Sequence, residues 1–443
     1  MRIRRRAFMG AAVVGPAAAL MSACATRSND PHVITFWTSD SSPTRLAALK
    51  RIVAGFEKEN PGYHVQVVPK PALGVGDATS LITAVRGRTA PDVYLIDRFG
   101  TAQYAAIGLL TDLQPFVQQD PGLASKYLGF AWKEATYRDH LYALPVDTAT
   151  NAVLYYNTDM LKTAGIDPDV LDPRHGPPTV EQVIDIALKM NRKNSAGNYT
   201  QMGMIPWSGQ GFWCAWAMMN GAKFYDQKTC TITATEPALM KTLTEFQHWA
   251  KEMNYSRTDA FSATYQPPGS PPQQSLFYTS KVGMQIDGNW GKQNLKLYAP
   301  KMKYGVTYFP VQQKGDPPFS WSGGFALAVP RYAVNPDGGW KFMKYATGPV
   351  GQRIATEETG LLPAYKPLLN DRTLIGDQEF FANLLKKYTQ SRPPLPVMGQ
   401  YSNVLDQAQS AVLLGDSTPR QALEQVHDQL QGAMDQYCPF QLP

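Results

Sequence analysis

The stretch from residue 140 to residue 166 has the most informative pattern of apolar and polar positions in the chain. Aromatic and β-branched side chains such as Tyr142, Val146 and Val153 recur in near alternation, which predicts an extended segment. The turn residues that begin at Asn157 end this segment and start a helix. An interior Pro145 and polar residues at 147–150 make it a poor central strand. We therefore predict a hinge strand that crosses between two sheets.

Short apolar runs alternate with helical patterns before this stretch. Strands are predicted at 33–37, 65–68 and 91–96, and helices at 79–86 and from Ser42-Pro43 to the residues before Pro61. This alternation indicates an α/β fold. Later patterns predict a strand ending near Gly288 with Trp290 opening the next helix, a strand at 304–310 that returns to the first lobe, a strand at 325–329, and carboxyl-terminal helices near 402–413 and 419–437.

Charged and aromatic residues at the predicted strand ends are candidates for a ligand site. Asp97 and Arg98 follow a buried strand, and open α/β sheets bind ligands beyond the carboxyl ends of their strands. A surface ion pair that caps the next helix is the alternative. Trp207 and Trp213 flank a glycine-rich turn, where an indole ring can face an open cleft. The Gly323-Gly324 pair allows close backbone approach to a ligand, or forms a simple bulge.

The length of 443 residues predicts two lobes or domains, and the 44% hydrophobic content suffices to fill both. The net charge of +6 is dispersed apart from an amino-terminal arginine cluster. Basic residues interleaved with aromatic residues are the usual mark of a nucleic-acid surface, and this chain has no such block after the amino terminus. We therefore do not expect a nucleic-acid partner.

The amino terminus has the pattern of an export signal. Arg2 and Arg4 to Arg6 precede a mildly apolar stretch, and small residues lead to Cys24. The Arg5-Arg6 pair resembles a twin-arginine signal, and the residues before Cys24 resemble a bacterial lipobox. A plain signal peptide with an incidental cysteine is the alternative. No later stretch has the ~20 uninterrupted apolar residues that a membrane span needs.

Three cysteines follow Cys24, namely Cys214, Cys230 and Cys438. An odd number outside the cell permits at most one disulfide among them. A Cys214–Cys230 bridge and three buried free thiols both remain open.

The chain lacks the usual catalytic and metal-binding motifs. It contains no GxSxG, HExxH or GxxxxGK(S/T) spacing, and its six histidines are scattered. We therefore expect no metal and no cofactor, and a binding protein is one class that the residues leave open. A secreted glycoside hydrolase remains the competing class, because such an enzyme needs only two carboxylates brought together in space.

Several motifs occur in the order found in one known family. The stretches at 91–100, 140–166, 281–290 and 359–364 resemble those of family 1 of the extracellular solute-binding proteins, the sugar-binding lipoproteins of ABC importers, and they are similar to maltose-binding proteins. The resemblance implies an α/β, two-lobed periplasmic-binding-protein fold of class II with three hinge crossings, near Val146, Pro310 and Ala328. The implied ranges are a signal peptide at 1–23, a lipidated tether at 24–32, a first lobe at 33–146 plus 310–337, and a second lobe at 147–309 plus 338–443.

The resemblance also implies a ligand site in the cleft between the lobes. Carried over by position, its residues are Trp37, Ser39, Asp40, Asp97, Arg98, Asn151, Trp207, Trp213, Asp287, Trp290, Trp321, Gly323, Gly324 and Tyr401. Tyr401 stands where maltose binders have a tryptophan, and the hinge acid of those binders has no clean counterpart here, so we expect a sugar other than maltose.

The expected function is capture of a carbohydrate, in particular an oligosaccharide, and its delivery to a membrane permease. The protein would be a monomer outside the cytoplasm, lipid-anchored to the cell membrane through Cys24. A glycerophosphodiester or a sugar phosphate is the alternative ligand, and Arg98 and Arg392 would then face the phosphate.

Overall fold

The computed structural model describes residues 30–40, 42–70 and 79–443. The expected signal peptide and the lipidation site at Cys24 lie outside the described residues. None of the helices within the described ranges is both long enough and apolar enough to cross a membrane.

The strands of the described chain are numbered here in chain order. They are β1 Val33–Thr38, β2 His64–Pro69, β3 Val93–Asp97, β4 Thr136–Tyr137, β5 His140–Leu141, β6 Ala143–Pro145, β7 Val153–Asn157, β8 Arg192–Lys193, β9 Tyr199–Gln201, β10 Tyr225–Asp226, β11 Thr231–Ile232, β12 Met284–Asp287, β13 Tyr304–Tyr308, β14 Ser320–Ser322, β15 Phe325–Ala328 and β16 Thr389–Ser391.

The α-helices are numbered in the same way. They are α1 Pro43–Glu59, α2 Thr79–Arg86, α3 Thr101–Ala106, α4 Gln114–Val117, α5 Gly129–Glu134, α6 Thr158–Thr163, α7 Val180–Met190, α8 Trp213–Met219, α9 Pro237–Glu252, α10 Tyr255–Tyr265, α11 Gly291–Tyr298, α12 Pro336–Ala346, α13 Pro349–Thr359, α14 Arg372–Ile375, α15 Glu379–Lys387, α16 Met398–Leu414 and α17 Pro419–Asp435.

The first lobe is built on a five-stranded sheet in the order β2-β1-β3-β15-β6. Strands β1, β2 and β3 are parallel, whereas β15 runs antiparallel to β3 and β6. Ile34 and Phe36 of β1 are fully buried, as the alternation predicts. The carboxyl ends of β1 and β3 therefore lie side by side and present Asp40 and Asp97 at the same edge of the sheet.

Helix α1 begins as its sequence indicates. Ser42 is the N-cap, its side chain accepts a hydrogen bond from Arg45 N, and Pro43 takes the first helical position. The buried face of α1 includes Ile52 and Phe56. This face packs the helix on the rest of the first lobe.

Helices α12 and α13 pack with the first lobe, in contrast to the expected ranges, which put everything after residue 338 in the second lobe. The Phe56 and Phe342 ring centroids lie 5.2 Å apart. Trp340 and Ala355 belong to the same hydrophobic cluster as Ile34. The amphipathic pattern identifies a helix but not the sheet on which its apolar face packs.

The second lobe contains the three-stranded sheet β12-β7-β13. Both outer strands pair antiparallel with β7, with Met284 opposite Tyr156 and Tyr304 opposite Asn157. The expected return of the strand at 304–310 to the first lobe is therefore wrong. The alternation at 304–308 predicts a strand correctly, but its pairing partner is chosen by tertiary packing.

Three segments cross between the lobes and lie next to one another. The segment after β6 runs through residues 146–152, Gly323-Gly324 joins β14 to β15, and a third crossing follows α13. Thr148 and Leu362 exchange backbone hydrogen bonds of 2.7 and 2.9 Å, and Ala149 N donates to the Gly323 carbonyl across 3.2 Å. The fold thus has three crossings as expected, but those expected near Pro310 and Ala328 lie instead at Gly323-Gly324 and after residue 359.

A disulfide joins Cys230, next to β11, to Cys438 in the carboxyl-terminal tail, with the Cα atoms 6.0 Å apart. Cys214 on α8 is buried and free. One bridge and one free thiol agree with the expected limit of one disulfide, but the Cys214–Cys230 pairing and the alternative of three free thiols are both wrong. The partners of the bridge lie 208 positions apart in the chain, and only the fold of the tail brings them together.

Candidate functional site

A cavity of about 460 Å³ lies between the two lobes against the three crossings. The first lobe contributes the loop after β1, the start of α1, and the ends of β3 and β15. The second lobe contributes the segment before α8, the start of α11, β14 and the residue after β16. The lining residues are Asp40, Ser42, Thr44, Arg45, Asp97, Ala149, Asn151, Gln210, Phe212, Trp290, Asn294, Trp321, Gly323, Gly324, Phe325, Thr359, Leu361 and Arg392.

The first-lobe wall carries a buried guanidinium held between two carboxylates. Arg45 donates from Nε to Asp40 across 3.2 Å and from Nη2 to Asp147 across 2.6 Å. Its guanidinium also lies 5.0 Å from the centre of the Phe325 ring. Burial opposes ionisation of Asp40, but Arg45 and the Ser42 amide outweigh burial and hold the pKa of Asp40 below its ordinary value.

A second ion pair joins the two lobes across the cavity. Arg392 Nη2 donates to Asp97 Oδ1 across 3.1 Å. The Arg392 guanidinium lies 3.8 Å from the centre of the Phe99 ring and 4.9 Å from that of Trp321. Stacking between the two rings holds the planar group in one orientation.

Aromatic rings form the apolar part of the wall. Phe212, Trp290, Trp321 and Phe325 all line the cavity. Phe212 and Trp321 meet edge to face with their centroids 6.0 Å apart. The sharp turn before Trp290 requires glycine, because a Cβ at Gly288 would collide with the Trp290 ring.

Several polar atoms at the cavity wall are buried and have no hydrogen-bond partner among the described residues. They are the acceptors Asn151 Oδ1 and Gln210 Oε1 and the donors Trp321 Nε1 and Arg392 Nε. Buried polar atoms are almost always paired in folded proteins, so an unpaired set along one cavity points to a polar ligand.

Seven of the fourteen expected site residues line this cavity. They are Asp40, Asp97, Asn151, Trp290, Trp321, Gly323 and Gly324. They come from both lobes and from the crossings, which is the arrangement that the resemblance implies. Their role in binding remains a prediction.

Three expected residues are interior side chains instead. Arg98 is fully buried and donates to Glu134 Oε2 across 3.0 Å and to the carbonyl oxygens of Asp147 and Gly323. Trp213 is buried on α8, with Nε1 donating to Asp406 across 2.7 Å. Tyr401 is fully buried, and its ring meets that of Phe224 nearly at a right angle. The expectation that these three face the ligand is therefore wrong.

The remaining four expected residues do not line the cavity and lie against other groups of the protein. Trp37 is covered by Lys70, whose Nζ lies 3.7 Å from the ring centre, and Ser39 is half-buried next to Asp40. Trp207 packs on Tyr255 with the ring centroids 5.9 Å apart. Asp287 is buried at the end of β12 and accepts hydrogen bonds from Gly288 N and Gln285 Nε2.

Sequence reasoning missed several lining residues. Gln210 and Phe212 lie inside the aromatic glycine-rich stretch that drew attention to Trp207 and Trp213. Arg45 lies three residues after the Ser42 cap. The position of Arg45 after a β-to-α loop at a sheet edge could have indicated a place at the site. For residues 207–213, the sequence alone does not show which side chains face the cavity.

No group of three or more His, Cys, Asp or Glu side chains that could hold a metal ion occurs within residues 30–40, 42–70 and 79–443. The residues that line the cavity offer hydrogen-bonding groups, ion pairs and aromatic faces.

Comparisons with known proteins bear on both the family and the fold. The family model described as bacterial extracellular solute-binding protein matches residues 40–353. The sn-glycerol-3-phosphate-binding periplasmic protein UgpB of Salmonella paratyphi A is 25% identical over 396 residues, which cover 83% of this chain and 85% of UgpB.

Solved structures share the two-lobed architecture. CpMnBP1 with mannobiose bound superposes with a TM-score of 0.79 at 23% identity, covering 89% of this chain and 98% of CpMnBP1. The substrate-binding protein Lmo0181 of Listeria monocytogenes, in complex with cycloalternan, superposes with a TM-score of 0.70 at 21% identity, covering 91% of this chain and 99% of Lmo0181. At these identities the structural likeness concerns the fold.

Proposed function

Because the chain belongs to the bacterial extracellular solute-binding protein family, we propose that it captures a carbohydrate in the cavity between its lobes. The protein then delivers this ligand to the membrane permease of an ABC importer. The solved structures with which it shares its fold hold mannobiose and cycloalternan. An oligosaccharide is accordingly the proposed ligand class.

The observation that carries the proposal is the combination of rings and unpaired polar atoms on one wall. The CH faces of a sugar pack on aromatic rings, and Phe212, Trp290 and Trp321 supply such rings. Sugar hydroxyls both donate and accept hydrogen bonds, and the unpaired atoms of Asn151, Gln210 and Arg392 include both kinds. The cavity is therefore complementary to a polyhydroxylated ligand.

Thermal unfolding with a panel of sugars tests this proposal. The panel contains mannobiose, maltose, maltotriose and cycloalternan, each followed by calorimetry when it raises the melting temperature. A ligand at about 100 times its Kd should stabilise the protein by roughly 2.7 kcal/mol. No shift with any member of this panel, nor with a wider set of mono- and oligosaccharides tested in the same way, would refute carbohydrate binding.

We propose that the protein releases the bound sugar without cleaving it. The supporting observation is that the two carboxylates of the wall, Asp40 and Asp97, are both engaged by arginines, whereas a glycosidase needs one carboxyl held protonated as an acid. Chromatography of each binding sugar after prolonged incubation checks this. Shorter products at a rate proportional to protein concentration would assign the chain to the glycosidases.

We also propose that the protein is a monomer anchored outside the cytoplasm by a lipid on Cys24, after export through the twin-arginine route. The residues before Cys24 and the Arg5-Arg6 pair support this proposal. Cys24→Ser should release the protein from the membrane fraction, and Arg5→Lys together with Arg6→Lys should reduce its export. Unchanged membrane association of the Cys24→Ser protein would refute the anchor.

A further inference from the structure

The guanidinium groups around the cavity are already matched by carboxylates. Arg45 is shared by Asp40 and Asp147, and Arg392 is paired with Asp97. Behind them, Arg98 is paired with Glu134. These three guanidinium groups are thus paired with four carboxylates. Within the described part of the chain, every cation on the cavity wall has a counter-ion.

The amino terminus of α1 also reaches the cavity and is also occupied. A helix amino terminus can hold an anion on its free N–H groups. Here Asp40 Oδ1 accepts from Ser42 N across 3.0 Å, and Ser42 Oγ accepts from Arg45 N across 3.4 Å. The Asp40 carboxylate therefore takes the position that a ligand anion would need.

The open hydrogen-bonding positions on the wall include acceptors that a phosphate cannot satisfy. Both hydrogen bonds that Asp97 accepts among the described residues end on Oδ1, which leaves Oδ2 as an acceptor on a side chain that is 29% exposed. Asn151 Oδ1 and Gln210 Oε1 are further acceptors. A phosphate monoester carries about −1.5 to −2 charges at pH 7 and accepts hydrogen bonds almost exclusively, so it would face like charge and unpaired acceptors.

A hydroxyl group fits the same positions without such a conflict. It can donate to Asp97 Oδ2 while it accepts from Arg392 Nε or Trp321 Nε1, both of which are buried donors without a partner among the described residues. The ion pair thereby becomes a matched donor and acceptor for neighbouring hydroxyls instead of a cationic site.

We propose that Asp97 determines the charge of the ligand: by neutralising Arg392 it makes the cavity selective for uncharged polyhydroxylated molecules and excludes phosphate monoesters. This inference rests on the proposed function and sets the protein apart from UgpB, whose name refers to sn-glycerol 3-phosphate. Removal of the Asp97 charge leaves the Arg392 guanidinium, fixed between Phe99 and Trp321, without the carboxylate that contacts it, so that an anionic ligand can take that place.

Calorimetry with sn-glycerol 3-phosphate and with glycerol tests the inference on the full mature chain. The native protein should bind the phosphate no more tightly than glycerol. Asp97→Asn should bind sn-glycerol 3-phosphate at least tenfold more tightly than the native protein, with a gain that shrinks as salt is added. The double variant Asp97→Asn with Arg392→Gln should lose the gain.

Asp377→Asn is the matched control. It removes one negative charge beside Lys292 at an exposed position outside the cavity, so it should gain nothing. Tighter binding of the phosphate than of glycerol by the native protein, or no gain in a folded Asp97→Asn protein, overturns the inference. An equal gain in Asp377→Asn would assign the effect to net charge and overturns it as well.

A separate titration tests the proposed function. Mannobiose and the other neutral sugars are titrated into the native protein alone, and their failure to bind counts against carbohydrate capture. The phosphate comparison between native protein and Asp97→Asn still decides the role of Asp97 in that case, because it needs no known sugar ligand.

Discussion

Arg98 and Glu134 form a fully buried ion pair, in which Arg98 Nε donates to Glu134 Oε2 across 3.0 Å. The same guanidinium donates to the carbonyl oxygens of Asp147 and Gly323, one in each of two crossing segments. A Cβ on Gly324 would collide with this guanidinium, which accounts for glycine at that position. Arg98 thus holds two crossing segments together from the interior side, while its neighbour Asp97 faces the cavity.

Arg98→Met should therefore destabilise the empty protein. Removing one partner of a buried ion pair typically costs about 3–5 kcal/mol, because the remaining charge stays buried without compensation. Burial already raises the pKa of Glu134 in spite of the Arg98 charge. Urea unfolding measures the loss, and Arg98→Met combined with Glu134→Leu should recover much of it. A stable Arg98→Met protein that merely binds sugar less tightly would contradict this assignment.

Trp290→Ala should weaken ligand binding with little effect on the empty protein. The ring lines the cavity, and loss of a stacking face is worth on the order of 1 kcal/mol beyond its buried area, or roughly a fivefold to tenfold rise in Kd with that term alone. Trp207→Ala is the matched control, because Trp207 packs on Tyr255 away from the cavity. Calorimetry with a sugar that binds should find the control unchanged. Equal losses in both variants would mean that the cavity is not the binding site.

The Asp287 carboxyl should make stability depend on pH. Burial raises its pKa from 3.8 to about 7, against the opposing effect of hydrogen bonds from the Gly288 N–H, Gln285 and Trp290. The folded state therefore holds the proton more tightly than the unfolded state, and this group stabilises the protein least above pH 7. Its contribution to the free energy of unfolding falls as the pH rises from about 4 to about 7, by at most on the order of 4 kcal/mol.

Asp287→Asn removes this titration. The difference in melting temperature between the variant and the native protein should increase in favour of the variant from pH 4 to pH 7 and then level off. Thermal melts of both proteins without ligand, at half-unit steps of pH, measure the difference. A constant difference over this range would show that Asp287 has an ordinary pKa in the folded protein.

The Cys230–Cys438 disulfide should stabilise the carboxyl-terminal tail. The tail beyond it carries Phe440, which is buried and stacks on Tyr137 with the ring centroids 5.8 Å apart. The bridge closes a loop of 208 positions, for which chain entropy predicts an upper limit on the order of 5 kcal/mol. Cys438→Ser should lower stability in urea unfolding, and a reductant should lower the native protein to the same level. A reductant that further destabilises Cys438→Ser would point to another cause.

Local chemistry determined the elements that the sequence predicts well. Ser42 and Pro43 start α1, Asn157 ends β7 and caps the next helix, and Ile34 and Phe36 alternate inward, because caps, turns and side-chain alternation depend on neighbouring residues alone. The two-lobed fold followed from the length and the order of the motifs. Of the fourteen site residues expected from the sequence, seven line the cavity.

Tertiary structure decided which partner each element meets and which way each side chain faces. Asp97 and Arg98 are adjacent, yet Asp97 pairs with Arg392 at the cavity whereas Arg98 pairs with the buried Glu134 in the interior. The same holds for the strand at 304–308, which pairs with β7, and for Cys230, which forms a disulfide with Cys438 in the tail. These choices depend on groups far apart in the chain, whose positions only the packing of the whole fold determines.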